Sequence, residues 1–211
     1  MTQTQMVLAT HNAKKLSELR RLVDLAGLGV VVLGLADLPC YPEPAETATT
    51  FEANALIKAR AAVEATGMIA LADDSGLAVD RLNGMPGVRS ARWAGPGASD
   101  ADNNDLLLRQ LDDVAEPDRT ARFVCAMAMV SPDGIEVVRH GVVDGRLLRS
   151  PRGENGFGYD PLFVAQGCEL TTAELDPADK DAISHRGRAV RAILVDLNAW
   201  MTTADNGSTP P

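Results

Sequence analysis

Short runs of apolar residues along the chain alternate with longer segments in which apolar residues recur every three or four positions. The short runs predict buried strands, and the longer segments predict amphipathic helices. Residues 6–9 and 30–33 predict the first two strands. The helix expected between them ends at Gly27, and its apolar face consists of Leu16, Leu19, Leu22, Val23 and Ala26. This alternation of strands and helices predicts an α/β fold.

The middle and the end of the chain complete the pattern. Strands are expected over residues 121–130 and 135–143, and the Pro-Asp-Gly turn between them predicts a β-hairpin. A hairpin within an α/β fold indicates a mixed sheet. Residues 1–201 are expected to form one domain, and residues 202–211 a disordered tail. The last helix of the domain has an apolar face formed by Val190, Ile193, Leu194, Leu197 and Met201.

Two adjacent carboxylates follow the apolar run 68–72, which predicts an interior strand. Asp73 and Asp74 would then lie at the tip of that strand, at the edge of the sheet where α/β proteins place ligands. A carboxylate pair there could hold Mg²⁺ and activate water. The alternative is a solvated turn, because Asp, Ser and Gly are ordinary turn residues and Ser75-Gly76 follow directly.

The bulk composition limits the kinds of partner. The chain of 211 residues carries a formal net charge of -9, whereas a general nucleic-acid surface needs a basic stripe. Cys40, Cys125 and Cys168 form no paired motif, so neither a zinc site nor a disulfide framework is expected, which fits a cytoplasmic protein. No signal peptide is expected, and no apolar run approaches the roughly 20 residues that span a membrane.

A polar turn between the first strand and the first helix is a candidate phosphate site. It consists of Thr10, His11, Asn12, Ala13, Lys14 and Lys15. Backbone N–H groups at a helix N-terminus attract phosphate, and Lys15 adds a full charge. The turn lacks the glycines of a Walker loop, and a capped, solvated turn is the alternative.

Lys58 lies in the next predicted helix, one element before the two carboxylates. This helix is expected to begin at a capping box, Thr49-x-x-Glu52, and to stop at Gly67. A solvated surface lysine is the usual alternative for such a residue, and a Schiff-base lysine of a carbonyl lyase is a third interpretation. Lys58 lies near the edge of a buried face that consists of Ala55, Leu56, Ala59 and Ala62.

Two further loops carry groups suited to a planar, anionic ligand. The first, residues 153–161, combines three glycines with Phe157 and Tyr159, whose rings could stack on a base or belong to the core. The second, Ser184-His185-Arg186-Gly187, precedes the last helix and follows Lys180. Its His and Arg donors suit carbonyl or phosphate oxygens, and a helix N-cap at Ser184 is the alternative.

Six motifs together resemble the inosine triphosphate pyrophosphatase family, the house-cleaning dITP/XTP diphosphatases. Each motif is weak alone, but six in one order, from Leu8 to about Leu197, are highly specific. The motifs are Ala9-Thr10-His11-Asn12-x-x-Lys15, Thr50-Phe51-x-x-Asn54-Ala55-x-x-Lys58-Ala59, Ala72-Asp73-Asp74-Ser75-Gly76-Leu77, Pro86-Gly87-Val88-x-Ser90-Ala91-Arg92, Gly156-Phe157-Gly158-Tyr159-Asp160-Pro161 and Lys180-x-x-Ile183-Ser184-His185-Arg186-Gly187. The resemblance implies a mixed, bent sheet flanked by helices, two lobes with a central cleft, and a homodimer.

The resemblance also implies an activity and roles for residues. The expected reaction is Mg²⁺-dependent cleavage of dITP, ITP or XTP between the α and β phosphorus atoms, which yields the nucleoside monophosphate and pyrophosphate. Asp74 would be a metal ligand and the proton acceptor with Asp73 beside it, Glu46 the second metal carboxylate, and Lys58 a support for the triphosphate. The substrate-binding positions carried over by motif are Thr10, His11, Asn12, Ala13, Lys14, Lys15, Ser75, Phe157, Gly158, Tyr159, Asp160, Lys180, His185 and Arg186.

Base selection follows from the donors that this resemblance assigns. His185 and Arg186 would pair with the 6-carbonyl of inosine and xanthosine and would oppose the 6-amino group of adenosine. Two departures from the family pattern fall near the metal site, where Ala48 replaces a usual Gly and Ala53 a frequent acid. A non-catalytic nucleotide sensor and a pyrophosphatase for modified pyrimidine nucleotides remain as alternatives.

Overall fold

The computed structural model of the protein describes residues 4–205. Strands and helices alternate along most of it. The strands are β1 (Gln5–Leu8), β2 (Val31–Gly34), β3 (Ile69–Val79), β4 (Thr120–Val130), β5 (Glu136–Leu147) and β6 (Phe163–Ala165). The helices are α1 (Ala13–Leu25), α2 (Phe51–Thr66), α3 (Asp100–Gln110), α4 (Pro177–Ile183) and α5 (His185–Asp205), with short 3₁₀ segments at Leu35–Asp37, Asp80–Leu82, Gly87–Arg92 and Glu116–Asp118.

The six strands form one mixed sheet in the order β2-β1-β3-β4-β5-β6. β1 pairs in parallel with both β2 and β3, and its last residue, Leu8, lies opposite Leu71 of β3. β5 and β6 pair antiparallel. The predicted α/β class with a mixed sheet is therefore confirmed, and the predicted hairpin strands correspond to β4 and β5.

The strand that carries the two carboxylates is longer than predicted. It was expected to stop at residue 72, but β3 continues through Asp73 and Asp74 to Val79. The interpretation of Asp73 to Gly76 as a turn at a strand tip is therefore wrong. Gly76 serves close packing within the strand, because a Cβ there would lie 2.4 Å from the carbonyl oxygen of Gly87.

The chain divides into two compact units. The first comprises the residues up to Asp74, Ala126–His140 and the residues from Arg188 onward. In its core, small side chains of α2 pack on the sheet, which lets helix and strand approach closely. Its buried cluster consists of Val7, Ala9, Leu35, Ala55, Ala59, Ala62, Ala70, Ala72, Ala128 and Val130.

The second unit comprises Ser75–Cys125 and Gly141–Gly187. Its core contains larger side chains, among them the rings of Phe123, Tyr159 and Phe163. Two elements of this unit, β6 and α4, had no counterpart in the predicted pattern. β6 has only three residues and α4 only seven, which is too short for an apolar period to be recognised.

Two helix ends differ from prediction. The side chain of Thr50, not Thr49, caps α2 by accepting a hydrogen bond from the Ala53 N–H. At the other end of the chain, α5 continues through residues 202–205, which had been assigned to the tail. The rest of the predicted tail, residues 206–211, lies outside the described residues.

Candidate active site

The acids lie just beyond the end of the parallel pairing between β1 and β3. β1 ends opposite Leu71, and the last tie to it is the Ala9 N–H that donates to the Leu71 carbonyl over 2.8 Å. β3 continues past this point with Asp73 and Asp74. Although β3 itself does not end here, the position is the carboxyl edge of parallel strands, where open α/β sheets bind ligands.

Strand alternation sends the two acids to different helices, because successive residues of a strand face opposite sides of the sheet. Asp74 continues the face of Ala70 and Ala72, which packs against α2, and its Oδ2 accepts a hydrogen bond from Asn54 Nδ2 over 2.9 Å. Asp73 Oδ2 instead accepts from Lys15 Nζ over 2.9 Å. Each carboxylate is therefore fixed by its own helix.

Lys58 joins the acids to the loop before α2. Its Nζ donates to Glu46 Oε1 over 2.8 Å and to the backbone carbonyl of Asp73 over 2.6 Å, and only 16% of its side chain is exposed. Burial alone lowers the pKa of Lys58, but the charges of Asp73, Glu46 and Asp74 outweigh it and raise the pKa above its ordinary value. Lys58 is thus a partly buried, charged residue, unlike the solvated lysine of the alternative prediction.

Asp74 has the opposite electrostatic environment. Burial is the main cause that raises its pKa, with help from the charges of Glu46 and Asp73, while Lys58 and the hydrogen bond from Asn54 oppose the shift. A carboxylate with a raised pKa binds protons more readily than an exposed one. Asp74 is therefore better suited to accept a proton than an exposed aspartate.

The turn before α1 combines capping with exposed polar groups. Asn12 Oδ1 accepts from the N–H groups of Lys14 and Lys15, over 2.9 and 3.2 Å, so these two amides are already bound by the cap. Thr10 Oγ1 accepts from the Asn12 N–H over 3.2 Å. His11 is exposed and pairs with Glu43. The capped-turn alternative therefore describes Asn12, while Lys15 faces the acids.

The carboxylates near Lys58 fit a hard cation of the Mg²⁺ type. Among the side chains that the structure describes, no three of His, Cys, Asp or Glu come together closely enough to hold a metal by themselves. Mg²⁺ in phosphate-handling proteins is usually held by one or two carboxylates together with substrate oxygens. Glu46 and Asp74 provide such a partial set. Burial is the main cause that raises the pKa of Asp74 and the Glu46 charge adds to it, and a bound cation would offset both effects.

A second cluster of predicted residues lies within the second unit. Lys180 Nζ and the Arg186 guanidinium carbon lie 5.1 and 5.3 Å from the centre of the Phe157 ring. Arg186 Nη2 also donates to Ser75 Oγ over 2.8 Å. The structure therefore brings Lys180 and Arg186 next to the half-buried ring of Phe157, with Ser75 bound to Arg186.

The Asp160 carboxylate binds several groups of this cluster. Its Oδ2 accepts from Lys180 Nζ over 2.6 Å and from the Phe157 N–H over 2.8 Å, and its Oδ1 accepts from Thr172 Oγ1 over 2.8 Å. A side chain on Gly156 would collide with the same carboxylate. Asp160 is 3% exposed and holds the loop and the lysine in place, and its assignment as a substrate-binding position stays a prediction.

Tyr159 is packed differently from its prediction. The Tyr159 ring is 3% exposed in the core of its unit, and its hydroxyl donates to the Ser90 carbonyl over 2.9 Å. Burial raises the pKa of Tyr159. The stacking prediction is therefore wrong for Tyr159, and the core alternative holds. The His185 imidazole lies flat on the Phe123 ring at 4.7 Å and 9°.

The N-cap alternative at the start of α5 is also present. Ser184 Oγ accepts from the Gly187 N–H over 2.9 Å. A Cβ at Gly187 would lie 2.0 Å from the Asp181 carbonyl oxygen, so glycine is required where α4 and α5 meet. The cap thereby fixes the backbone of the two residues between, His185 and Arg186.

The fold and the two clusters define an α/β protein with charged groups suited to a polyanion. The chain belongs to the Ham1 family, whose family model matches residues 6–195.

Named relatives agree with this membership. The chain is 58% identical over 200 residues to the dITP/XTP pyrophosphatase of Nocardia farcinica, and the matched region covers 94% of this chain and 97% of that protein. A crystal structure of the nucleoside-triphosphatase, or dITP/XTP pyrophosphatase, of Mycobacterium abscessus is 53% identical, with 90% of this chain and 99% of that chain covered and a TM-score of 0.74. The HAM1 protein of Coxiella burnetii is 42% identical, with 94% and 98% covered and a TM-score of 0.82.

Proposed function

We propose that the protein hydrolyses the deaminated purine nucleoside triphosphates dITP, ITP and XTP to the nucleoside monophosphate and pyrophosphate. The observation that carries the proposal is the partly buried cluster in which Lys15 contacts Asp73 of β3 and Lys58 contacts both Asp73 and Glu46 of the loop before α2. The names of close relatives identify the substrate class. Removal of such nucleotides from the cytoplasmic pool is the role that this activity serves.

In the proposed reaction, water adds to the α-phosphorus and the bond from that phosphorus to the α–β bridging oxygen breaks. Asp74 orients the water and accepts its proton, for which its raised pKa is suited. Lys15 and Lys58 stabilise the negative charge that develops on the departing pyrophosphate. Asp73 holds Lys15 in place through their 2.9 Å ion pair.

Glu46 and Asp74 are the residues that would hold a magnesium ion. When bound, Mg²⁺ would neutralise part of the triphosphate charge and polarise the α-phosphorus. Lys58 holds the Glu46 carboxylate, and Asn54 holds that of Asp74.

The second cluster supports recognition of the base. Phe157 offers the ring for stacking, and the donors of Arg186, His185 and Lys180 favour a base with a carbonyl at position 6 over one with an amino group. Ser75 orients Arg186 through their hydrogen bond. Tyr159 and Asp160 support this cluster indirectly. Tyr159 packs in the core, and Asp160 holds Lys180 through its carboxylate.

The alternatives differ in observable ways. A Schiff-base lysine must be a neutral amine, whereas the acids around Lys58 raise its pKa, so the lyase interpretation is disfavoured. A nucleotide sensor would bind the same nucleotides without releasing pyrophosphate. A pyrimidine pyrophosphatase would prefer modified pyrimidine substrates.

A substrate panel tests the proposal directly. Purified protein with Mg²⁺ is given dITP, ITP, XTP, dATP, dGTP and modified dUTP or dCTP, and pyrophosphate is measured separately from orthophosphate. We expect pyrophosphate from the first three and no product when Mg²⁺ is replaced by EDTA. Release of orthophosphate, or equal rates with dATP, would contradict the proposal.

The assembly proposed with this function is a homodimer, which light scattering on the purified protein would detect. No helix within residues 4–205 has both the length and the apolar character required to cross a membrane. The net charge of -9 disfavours a general nucleic-acid surface, so the proposed partner is the nucleotide itself.

A further inference from the structure

One buried polar side chain of the first unit has no role in the proposed reaction. Asn54 lies on α2 in the face that packs against β3, and none of its surface is exposed. A buried amide needs hydrogen-bond partners, and each one left unmade costs free energy. The partners of Asn54 therefore show what the residue is for.

Asn54 connects the loop that carries Glu46 with the strand that carries Asp74. Its Oδ1 accepts from the Ala48 N–H over 3.0 Å, and its Nδ2 donates to the Ala48 carbonyl over 3.4 Å and to Asp74 Oδ2 over 2.9 Å. The opposite amide orientation would place an oxygen against the Asp74 carboxylate. The three partners together thus fix which end of the amide faces which group.

We propose that Asn54 is a positioning residue that holds the Glu46 loop against Asp74, so that the two carboxylates form a preformed site for one divalent cation. The proposal rests on the function proposed above only in taking Glu46 and Asp74 as the metal ligands. Asn54 does not touch the metal or the substrate in this scheme.

The loop needs such a tie because it has no regular structure of its own. No residue from 39 to 48 belongs to a helix or strand. Residues four apart on a helix share a face, so α2 presents Asn54 and Lys58 side by side. Lys58 holds the Glu46 carboxylate, and Asn54 holds the backbone two residues later.

The same arrangement accounts for one departure from the family pattern. Ala48 replaces a usual glycine, yet its backbone does not need glycine, because Asn83 is the only non-glycine residue among those described that has a positive φ. Both backbone groups of Ala48 are held by Asn54. The methyl group of Ala48 is therefore compatible with the hydrogen bonds between Ala48 and Asn54.

A buried asparagine in the second unit provides a matched control. Asn103 of α3 is 2% exposed, its Oδ1 accepts from the Ala94 N–H over 2.7 Å, and its Nδ2 donates to the Ala91 carbonyl over 3.4 Å. It fastens a loop to a helix as Asn54 does, but both of its partners are backbone groups. Asn103→Ala therefore measures the loss of stability when a buried asparagine no longer binds a loop backbone, in a case where no carboxylate is involved.

The test measures metal binding without nucleotide and without turnover. Mn²⁺ is titrated into the wild-type protein, Asn54→Ala and Asn103→Ala, and free Mn²⁺ is followed by electron paramagnetic resonance, with thermal unfolding recorded in parallel. Loss of a residue that orients metal ligands typically weakens metal binding about 10- to 100-fold. We expect that loss for Asn54→Ala alone, with similar decreases in Tm for both variants. Asn54→Ser, which is too short to span both partners, serves if the alanine variant does not fold.

Three results would overturn the proposal. They are unchanged Mn²⁺ affinity in the Asn54 variants, an equal loss in Asn103→Ala, and a wild-type protein that binds no Mn²⁺ at low-millimolar concentrations. Pyrophosphate release from dITP by the wild-type protein is measured separately. If that activity is absent while Asn54→Ala weakens Mn²⁺ binding, the substrate assignment fails and the positioning role stands.

Discussion

The two clusters of charged side chains use their charges in different ways. In the first unit, Lys58 and Lys15 each contact acids that lie in a loop or a strand, and the pKa values of Lys58 and Asp74 are both raised. In the second unit, Lys180 and Arg186 lie over the Phe157 ring, and Asp160, the acid that pairs with Lys180, is bound by the surrounding loop.

This difference separates chemistry from recognition. The first cluster keeps Asp74, an acid of raised proton affinity, close to a cation, which suits proton transfer and a developing phosphate charge. The second fixes a ring and its donors, which suits a flat ligand with acceptor groups. Substitutions in the first cluster should therefore change kcat, and substitutions in the second should change KM and the choice of base.

The largest effect is expected from Asp74→Asn. The amide keeps the size of the side chain but cannot accept the proton from water, so kcat for dITP should fall about 10²- to 10⁴-fold, the usual contribution of a general base. Pyrophosphate release under single-turnover conditions measures it.

Asp73→Asn is the matched comparison for this variant. It keeps a group that can accept from Lys15, so a smaller loss is expected. If Asp73→Asn is inactive while Asp74→Asn turns over normally, the roles of the two faces of β3 are reversed.

Lys58→Met should lower kcat/KM about 10²- to 10³-fold, as is typical when a donor that stabilises developing charge is lost. The variant should also change the pH dependence. The Lys58 charge lowers the pKa of Asp74, so its removal raises that pKa further. Because the base must be ionised, the acidic limb of the kcat/KM profile should move to higher pH.

The exposed Lys14 is the control for this shift. Lys14→Met removes the same charge from the start of α1, and we expect its acidic limb to coincide with that of the wild-type protein. An unshifted limb in Lys58→Met would show that the titrating group is not Asp74.

In the second cluster, Arg186→Ala should raise KM for dITP about 10-fold, which corresponds to the roughly 1–2 kcal/mol of a charge-assisted hydrogen bond or cation–π contact. The preference for dITP over dATP should narrow, while kcat changes little. A loss in kcat with unchanged KM would place Arg186 in the chemistry instead.

The sequence predicted more of the fold than of the geometry of the site. Apolar periodicity identified the long helices and the buried strands, because burial imposes it directly. It failed at β3, where Asp73 and Asp74 are polar residues inside a strand. From the apolar pattern alone, two such residues predict the end of the strand. The pattern cannot show that Lys15, Asn54 and Lys58, which are distant in sequence, bind these two residues.

Long-range partners explain the other differences as well. Tyr159 and Asp160 belong to the same motif as Phe157, yet they bind Ser90 and Thr172 and leave only the phenylalanine ring half-exposed. Asn54 belongs to the same motif as Lys58, but the sequence predicted no role for it. Its spacing of four residues from Lys58 was the one available signal, and it places the two on one helix face.

The smallest effect is expected from Tyr159→Phe, which is compared with a substitution of the neighbouring ring, Phe157. Tyr159→Phe removes the hydrogen bond to the Ser90 carbonyl and leaves the packing of the ring unchanged, so it should lower the free energy of unfolding by about 1 kcal/mol. Urea denaturation measures this change, and kinetics with dITP should match those of the wild-type protein. Phe157→Leu should do the reverse, with a higher KM and little loss of stability, because that ring is half-exposed between two cations. If Tyr159→Phe raised KM as much as Phe157→Leu, its hydroxyl would have to reach the nucleotide, and the separation of packing from recognition within this loop would fail.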